Sequence, residues 1–417
     1  MTRTVPIRAG FIPLLDCAPL VAAARAGFAA DEGLHIELVR ETSWASLRDR
    51  VSVRHLDVAH MLAPMPIAAS LGLMPLPARL IAPIALGFGG NTITVSNAVW
   101  AELADFGAPA NFAPMPTARA FAALVRERRR RGTPRPVLAI VHPHSAHHYQ
   151  LAYWLAGAGV DPKADVELVV VPPPLMPDAL AGGQIDGYCV GEPWGSVAAL
   201  SGSGRILTTN VHIWRSSPEK VLGLRLAWAE EQPERLARLV RAVYRAAVWC
   251  DDPANRGALA DLLAAADILN RPAADLARSL SRQLPTPDGA TVAVDGFLTF
   301  AAGAATFPWT SHAAWFYAQM VRWGQTALSP EGLAQARASF RPDLYRRSIE
   351  GLGVALPAAN EKVEGALTAR TPVGSTGSLT LAPDGFFDGL VFDPADVTGY
   401  LAGFAARPAP PAEPLAD

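Results

Sequence analysis

Strand and helix alternate along the first part of this chain, and after an interval the same alternation begins again. No other feature restricts the fold as strongly. "VPIRAGFIPLL" reads as a strand and loop, "APLVAAARAGFAADEG" as a helix and "LHIELVRE" as a period-two strand, which together make a βαβ unit. A helix in "SWASLRDRVSVRHLD", a strand in "VAHMLAP" and a helix in "MPIAASLGL" continue it, as a largely parallel sheet requires. The pattern restarts at the strand "PVLAIVHP". It runs through the helix "SAHHYQLAYWLAGAG", the strand "DVELVVVPPP", the helix "MPDALAGGQ" and the strand and loop "IDGYCVGEPW". A chain of 417 residues exceeds what one core usually organises, so the restart predicts two α/β lobes. Residues 1–98 are expected to begin lobe 1, residues 99–212 to form lobe 2, and residues 213–406 to return to lobe 1. After Trp194 strand propensity is low, and amphipathic helices such as "PERLARLVRAVYRAAVWCDD" and "HAAWFYAQMVRWGQ" decorate a lobe. The end, 407–417, "RPAPPAEPLAD", is expected to be a disordered tail.

Charge narrows the function. With 36 basic against 38 acidic residues the net charge is −2, so no global field draws nucleic acid or an anionic membrane. The run "RERRRR", Arg126 to Arg131, closes a helix, where cations suit the C-terminus; a solvated end outweighs an RNA or partner contact. Cys17, Cys189 and Cys250 are odd in number and far apart, which makes neither a disulfide framework nor a zinc knuckle and fits a reducing compartment. The opening lacks the apolar core and cleavage site of a secretory signal, so a cytoplasmic location is expected. Residues 61–90 carry one charge, Arg79, but Pro64, Pro66, Pro75, Pro77 and Pro83 break any membrane-spanning helix there. No nucleophile elbow, phosphate loop or H-E-x-x-H zinc motif is present, so neither an enzyme nor a cofactor is expected.

Two such lobes leave a cleft between them, beyond the carboxyl ends of strands, and that is where a ligand is expected. The segments "GFIPLLDCAPLVAAARAGFAADEGL", "SWASLRDR", "DVAHMLAPMPIAASLGL", "GGNTITVSNAVW", "AGGQIDGYCVGEPW", "PEKVLGL" and "TFPWTSHAAWFYAQMVRWGQ" follow in order from about residue 7 to residue 350. In these the chain resembles the nitrate-binding family. That family comprises the solute-binding components of nitrate and bicarbonate ABC importers and the cytoplasmic nitrate/nitrite sensors of the NasS type. The resemblance implies an α/β, two-lobed type II periplasmic-binding-protein clamshell with extra C-terminal helices.

Within that frame Lys220, in "SSPEKVLG", is the first candidate, because an ammonium in a dry cleft attracts a monovalent anion. The resemblance implies a lysine here in nitrate binders, where bicarbonate binders carry an acidic residue that recruits a metal ion; without it, a solvated surface lysine is the plainer reading. His147 stands at a helix start among His142, His144 and His148 and could donate to an anion. The choice between His147 and His148 is open, and a His144/His148 metal pair lacks a carboxylate or cysteine to complete it. Trp44, in "TSWASLRD", offers an indole N–H and a flat face, against a core-packing role. Asn91, in "GGNTIT", offers an amide, against an ordinary turn. Val190 and Gly191, in "CVGEPW", are expected to present backbone groups, and Glu192 to bridge the lobes or cap a helix.

The leading expectation is a cytoplasmic sensor that closes on nitrate or nitrite. By resemblance, its partner would be a NasT-type antitermination regulator with an ANTAR domain. The solute-binding component of a nitrate- or bicarbonate-type ABC importer is the alternative. A thiamine-pyrimidine-synthase-like enzyme is the third reading, and the scattered cysteines speak against it.

Overall fold

The computed structural model describes residues 5–373 and 379–405, so the expected tail at 407–417 lies outside the described residues. Two five-stranded sheets organise the chain. The first has the order Ile36–Arg40, Ile7–Phe11, Val58–Leu62, Lys220–Arg225, Leu80–Ile81, and the second Gly204–Thr209, Asn91–Ser96, Gly187–Gly191, Val137–Ile140, Glu167–Val170. In each sheet four strands share one direction, three of them adjacent and parallel as the βαβ pattern dictates, and one strand runs antiparallel to both its neighbours. Each antiparallel pair includes a strand the chain enters immediately after crossing between lobes: Asn91–Ser96 in the second sheet and Lys220–Arg225 in the first.

The crossing therefore falls before Asn91, and the expected boundary at 98 is corrected by several residues. "NTITVS" pairs along its length with the second sheet, Asn91 opposite Gly191 and Thr92 opposite Val190. The expectation of little strand after Trp194 is also corrected, since Gly204–Thr209 and Lys220–Arg225 both belong to the main sheets. Arg205, Lys220 and Gly223 weaken their local signal, and pairing with neighbouring strands decides the outcome.

The two crossing segments hold each other. Gly89 N donates to Ser217 O at 3.0 Å, and Phe88 bridges Pro218. Gly89 has φ +79°, and a Cβ there would meet Phe297 O at 2.1 Å, so only glycine fits this approach. Asn210 ties both segments: its Oδ1 accepts from Asn91 N at 3.1 Å and its Nδ2 donates to Ser217 Oγ at 2.8 Å.

Helices cover the sheets as the apolar spacing requires. In Pro233–Asp251, Leu236, Leu239, Val240, Val243, Ala246 and Ala247 make one buried stripe, which packs on Ala18–Arg25. Thr310–Arg322 is buried nearly all round, because the C-terminal stretch wraps over it. That stretch does not stay on lobe 1, where residues 213–406 were expected. Phe386 stacks on Trp214 at 4.7 Å, and Tyr153 Oη, from a lobe 2 helix, donates to Asp388 Oδ1 at 3.0 Å. Residues 61–90 form short strands and a helix, and among the described residues no helix is long and apolar enough to cross a membrane.

Candidate ligand-binding site

Where the two sheets face each other, strand and helix ends deliver polar side chains into one buried cluster. Lys220 opens its strand opposite Leu62, with Glu219 just before it. His60 lies in the fully buried strand Val58–Leu62, and Asp16 in a short 3-10 turn after the first strand. Ser43 caps the helix Trp44–Ser52 by accepting from Ser46 N, which fixes Trp44 at its first position. From lobe 2 come Asn91, at the start of its strand, and His147 and Gln150, one turn apart on Ala146–Gly157. Ser145 caps that helix through His148 N and so sets its rotational phase.

Burial decides the first question, for Lys220 is 1% exposed and the surface-lysine reading fails. Its Nζ donates to Asp16 Oδ2 at 2.7 Å and Glu219 Oε1 at 2.6 Å, which leaves its third N–H free of either carboxylate. It also lies 5.5 Å from the centroid of the Trp44 ring. Asn91 Nδ2 donates to Glu219 Oε2 at 2.6 Å, and His60 Nε2 lies 2.9 Å from Asp16 Oδ1. His147 Nδ1 is 3.4 Å from Glu219 Oε1. Around these bonds sit buried polar atoms with no hydrogen-bond partner: Trp44 Nε1, Gln150 Nε2, both ring nitrogens of His147, Asn91 Oδ1 and His60 Nδ1. A single such atom costs about 1–3 kcal/mol, so a group of them at one lobe junction marks a place built to receive a polar guest.

The charges in the cluster are set by neighbours. Burial alone would raise the Asp16 carboxyl, but Lys220 and His60 outweigh it and hold it well below the usual range. Burial pushes Glu219 up to about 7 against the pull of Lys220. Burial, with Lys220 adding to it, drives His147 well below its ordinary value, so the imidazole is neutral at pH 7. Burial opposes the charge on Lys220, yet Asp16 and Glu219 together raise its pKa and keep it an ammonium.

Lys220, His147, Trp44 and Asn91 thus converge. Gly191 sits beside them, where a Cβ would stand 3.3 Å from Asn91 Oδ1 and 3.5 Å from Asp16 Oδ2, so its bareness lets the lobes approach. Val190 is fully buried in the apolar core opposite Thr92, and its part is to carry the strand that holds Gly191. The helix phase turns His147 toward the cluster, while His148 Nδ1 lies 2.7 Å from Pro143 O. The histidine run does not gather on an ion: His144 N donates to His142 Nδ1, and among the described residues no group of three metal-ligating side chains forms. Glu192 both caps and bridges, accepting from Ser196 N at 3.0 Å and from Ser279 Oγ at 2.9 Å. The arginine run is engaged with carboxylates, Arg128 with Glu102 and Asp186, Arg129 with Asp165, and Arg130 and Arg131 with Glu127.

Sequence reasoning missed Asp16, His60, Gln150 and Glu219. His60 carried the most usable signal, as the one ionisable residue in the apolar strand "VAHML". Gln150 stands one turn beyond His147, on the same helix face.

Two α/β lobes joined by paired crossing strands and shut over a buried polar cluster define the periplasmic-binding-protein class of fold. The chain belongs to the NMT1-like family, which matches residues 2–264. It is 31% identical over 407 residues to the nitrate/nitrite binding protein NrtA of Synechococcus elongatus, covering 94% of this chain and 85% of that one. It is 33% identical over 402 residues to the nitrate import ATP-binding protein NrtC of a Synechocystis strain, covering 95% of this chain but only 54% of that relative's length. The crystal structure of the periplasmic nitrate-binding protein NrtA from Synechocystis PCC 6803 superposes with a TM-score of 0.83 at 26% identity, covering 96% of this chain and 99% of that one. One of these names is that of an import protein and two are those of nitrate-binding proteins, one of them periplasmic, which favours the solute-binding alternative over the sensor expectation.

Proposed function

We propose that this chain binds nitrate or nitrite between its lobes and serves as the solute-binding component of an importer. The observation that carries the reading is the buried ammonium of Lys220, its third N–H still available, with Trp44 Nε1 and Gln150 Nε2 unpartnered in the same cluster. A small planar oxyanion accepts from several N–H donors at once, and inside closed lobes those bonds are not diluted by water. The similarity to NrtA supports the same reading. The ligand can favour the closed arrangement only by as much as it binds that form better, and the donors contributed by both lobes provide this difference. A sensory use with a NasT-type regulator would rest on the same binding step; the names of the relatives support import instead.

The test is calorimetric titration of the purified chain with nitrate, nitrite and bicarbonate, with tryptophan fluorescence followed in parallel and Trp44→Phe identifying the part due to Trp44. Saturable nitrate binding with Kd below about 1 mM is expected. A flat titration with nitrate and nitrite at that concentration overturns the assignment, and a response to bicarbonate alone replaces it. Fractionation of the native protein then separates a periplasmic importer component from a cytoplasmic sensor.

A further inference from the structure

We propose that anion capture at this site is coupled to uptake of one proton by the Glu219–His147 pair, an inference that rests on the anion-binding reading above. The first ground is charge. Two carboxylates, Asp16 and Glu219, already share the single ammonium of Lys220, and all three are at most 5% exposed. An added anion would bring the cluster to two uncompensated negative charges in a dry interior, where unpaired charge is strongly disfavoured. A proton arriving with the anion halves that excess.

The second ground is the tautomer of His147. Its Nδ1 lies 3.4 Å from Glu219 Oε1 without a hydrogen bond formed, within reach of a proton shared between the two, and Nε2, on the far side of the ring, is likewise buried without a partner. When Glu219 is ionised, Nδ1 carries the hydrogen toward the carboxylate, and Nε2 is left with a lone pair that repels an oxyanion. When Glu219 is neutral, its O–H donates to Nδ1, and Nε2–H becomes a donor for the guest. This route needs one proton, and it comes from solvent.

The groups facing this pair leave it as the place for that proton. Asp16 is held ionised by Lys220 and His60, and burial, with Lys220 adding to it, holds the His60 imidazole below its ordinary pKa against the pull of Asp16. Asn91 and Gln150 do not titrate, and burial keeps the Cys189 thiol neutral by pushing it well up. Glu219, pushed up to about 7 by burial against Lys220, stands where a nearby anion tips it.

The deciding measurement is nitrate titration of the wild-type chain at pH 8 in buffers of differing ionisation enthalpy. The observed heat should change with the buffer enthalpy with a slope of about one proton, and affinity should fall about tenfold per pH unit above pH 8. Glu219→Gln, which cannot take up a proton, shifts the affinity and flattens both dependences. Saturable wild-type binding with no buffer dependence overturns the proton coupling and leaves the anion reading standing. Coupling that persists in Glu219→Gln overturns the assignment to this pair. Absence of binding in every buffer removes both readings together. Should the variant fail to fold, the wild-type buffer series still decides whether a proton is taken up.

Discussion

The chain builds the same set of groups twice, to opposite ends. Lys220 with Asp16, Glu219, Trp44 and neighbouring histidines has a counterpart near the C-terminus: Lys362 with Glu364, Asp384, Trp309 and His312. Each ammonium meets two buried carboxylates and stands about as far from an indole ring, 5.5 Å and 6.0 Å. Their surroundings differ. Ser311 Oγ donates to Glu364 Oε1 at 2.6 Å and Leu367 N to Asp384 Oδ1 at 2.9 Å, so the carboxylates at Lys362 are closed by local donors. Trp309 Nε1 and the Nε2 of His312 lack hydrogen-bond partners there, whereas at Lys220 Asn91 Oδ1, Gln150 Nε2 and both ring nitrogens of His147 widen the unpartnered set. Burial opposes the charge on Glu364, yet Lys362 and His312 bring it down to about 2, whereas burial wins at Glu219 and carries it to about 7. One cluster fastens a chain segment; the other keeps unspent hydrogen-bonding capacity for something that comes and goes.

The hardest blow to this contrast is Lys220→Met. It removes the cation from two buried carboxylates and should reduce nitrate affinity at least 100-fold while costing about 3–5 kcal/mol of stability. Calorimetry and urea unfolding report the two losses separately. Lys362→Met should cost a similar ~3–5 kcal/mol but leave affinity within about twofold, because its carboxylate partners Glu364 and Asp384 are not those of Lys220. A large loss of affinity in that variant would erase the distinction between the clusters. Trp44→Phe keeps the packing and removes one N–H donor, so affinity should fall about tenfold with the unfolding midpoint nearly unchanged.

The smallest effect is on the pH dependence of stability, where the clusters have opposite signs. Glu219 has a folded pKa raised from 4.5 to about 7, so its contribution is present below about 4.5 and is lost as pH rises through 7. Glu364 has a folded pKa depressed from 4.5 to about 2, so its contribution is present above about 4.5 and is lost as pH falls toward 2. Unfolding midpoints across pH should therefore lose their neutral slope in Glu219→Gln and soften their acid limb in Glu364→Gln. An identical response in both variants would mean that the neighbours do not set the two clusters apart.

Periodicity revealed the two lobes because each repeats strand and helix with the spacing a covered sheet needs. It misplaced the crossing at 98, since "NTITVS" is a strand on either side of a lobe boundary and only its pairing with Gly187–Gly191 says which. It passed over Gly204–Thr209 and Lys220–Arg225, strands whose charges and glycines dilute the local signal until sheet neighbours supply the rest. At the site, Lys220, His147, Trp44 and Asn91 each had an ordinary reading as surface, cap, core or turn, and family resemblance raised them above it. What no local pattern could disclose is that Lys220 is already shared. Its partner Asp16 lies 204 residues away, and only the folded sheet brings them within 2.7 Å.

Asn91 and Lys220 are each the first residue of a strand entered straight from a crossing segment, so the guest would be gripped close to the pivot about which the halves turn. Contacts near a pivot have a short lever arm. A shift of a fraction of an ångström at these donors becomes a far larger excursion at the outer rim of each lobe. A guest of only a few atoms would in this way move surfaces that it never touches.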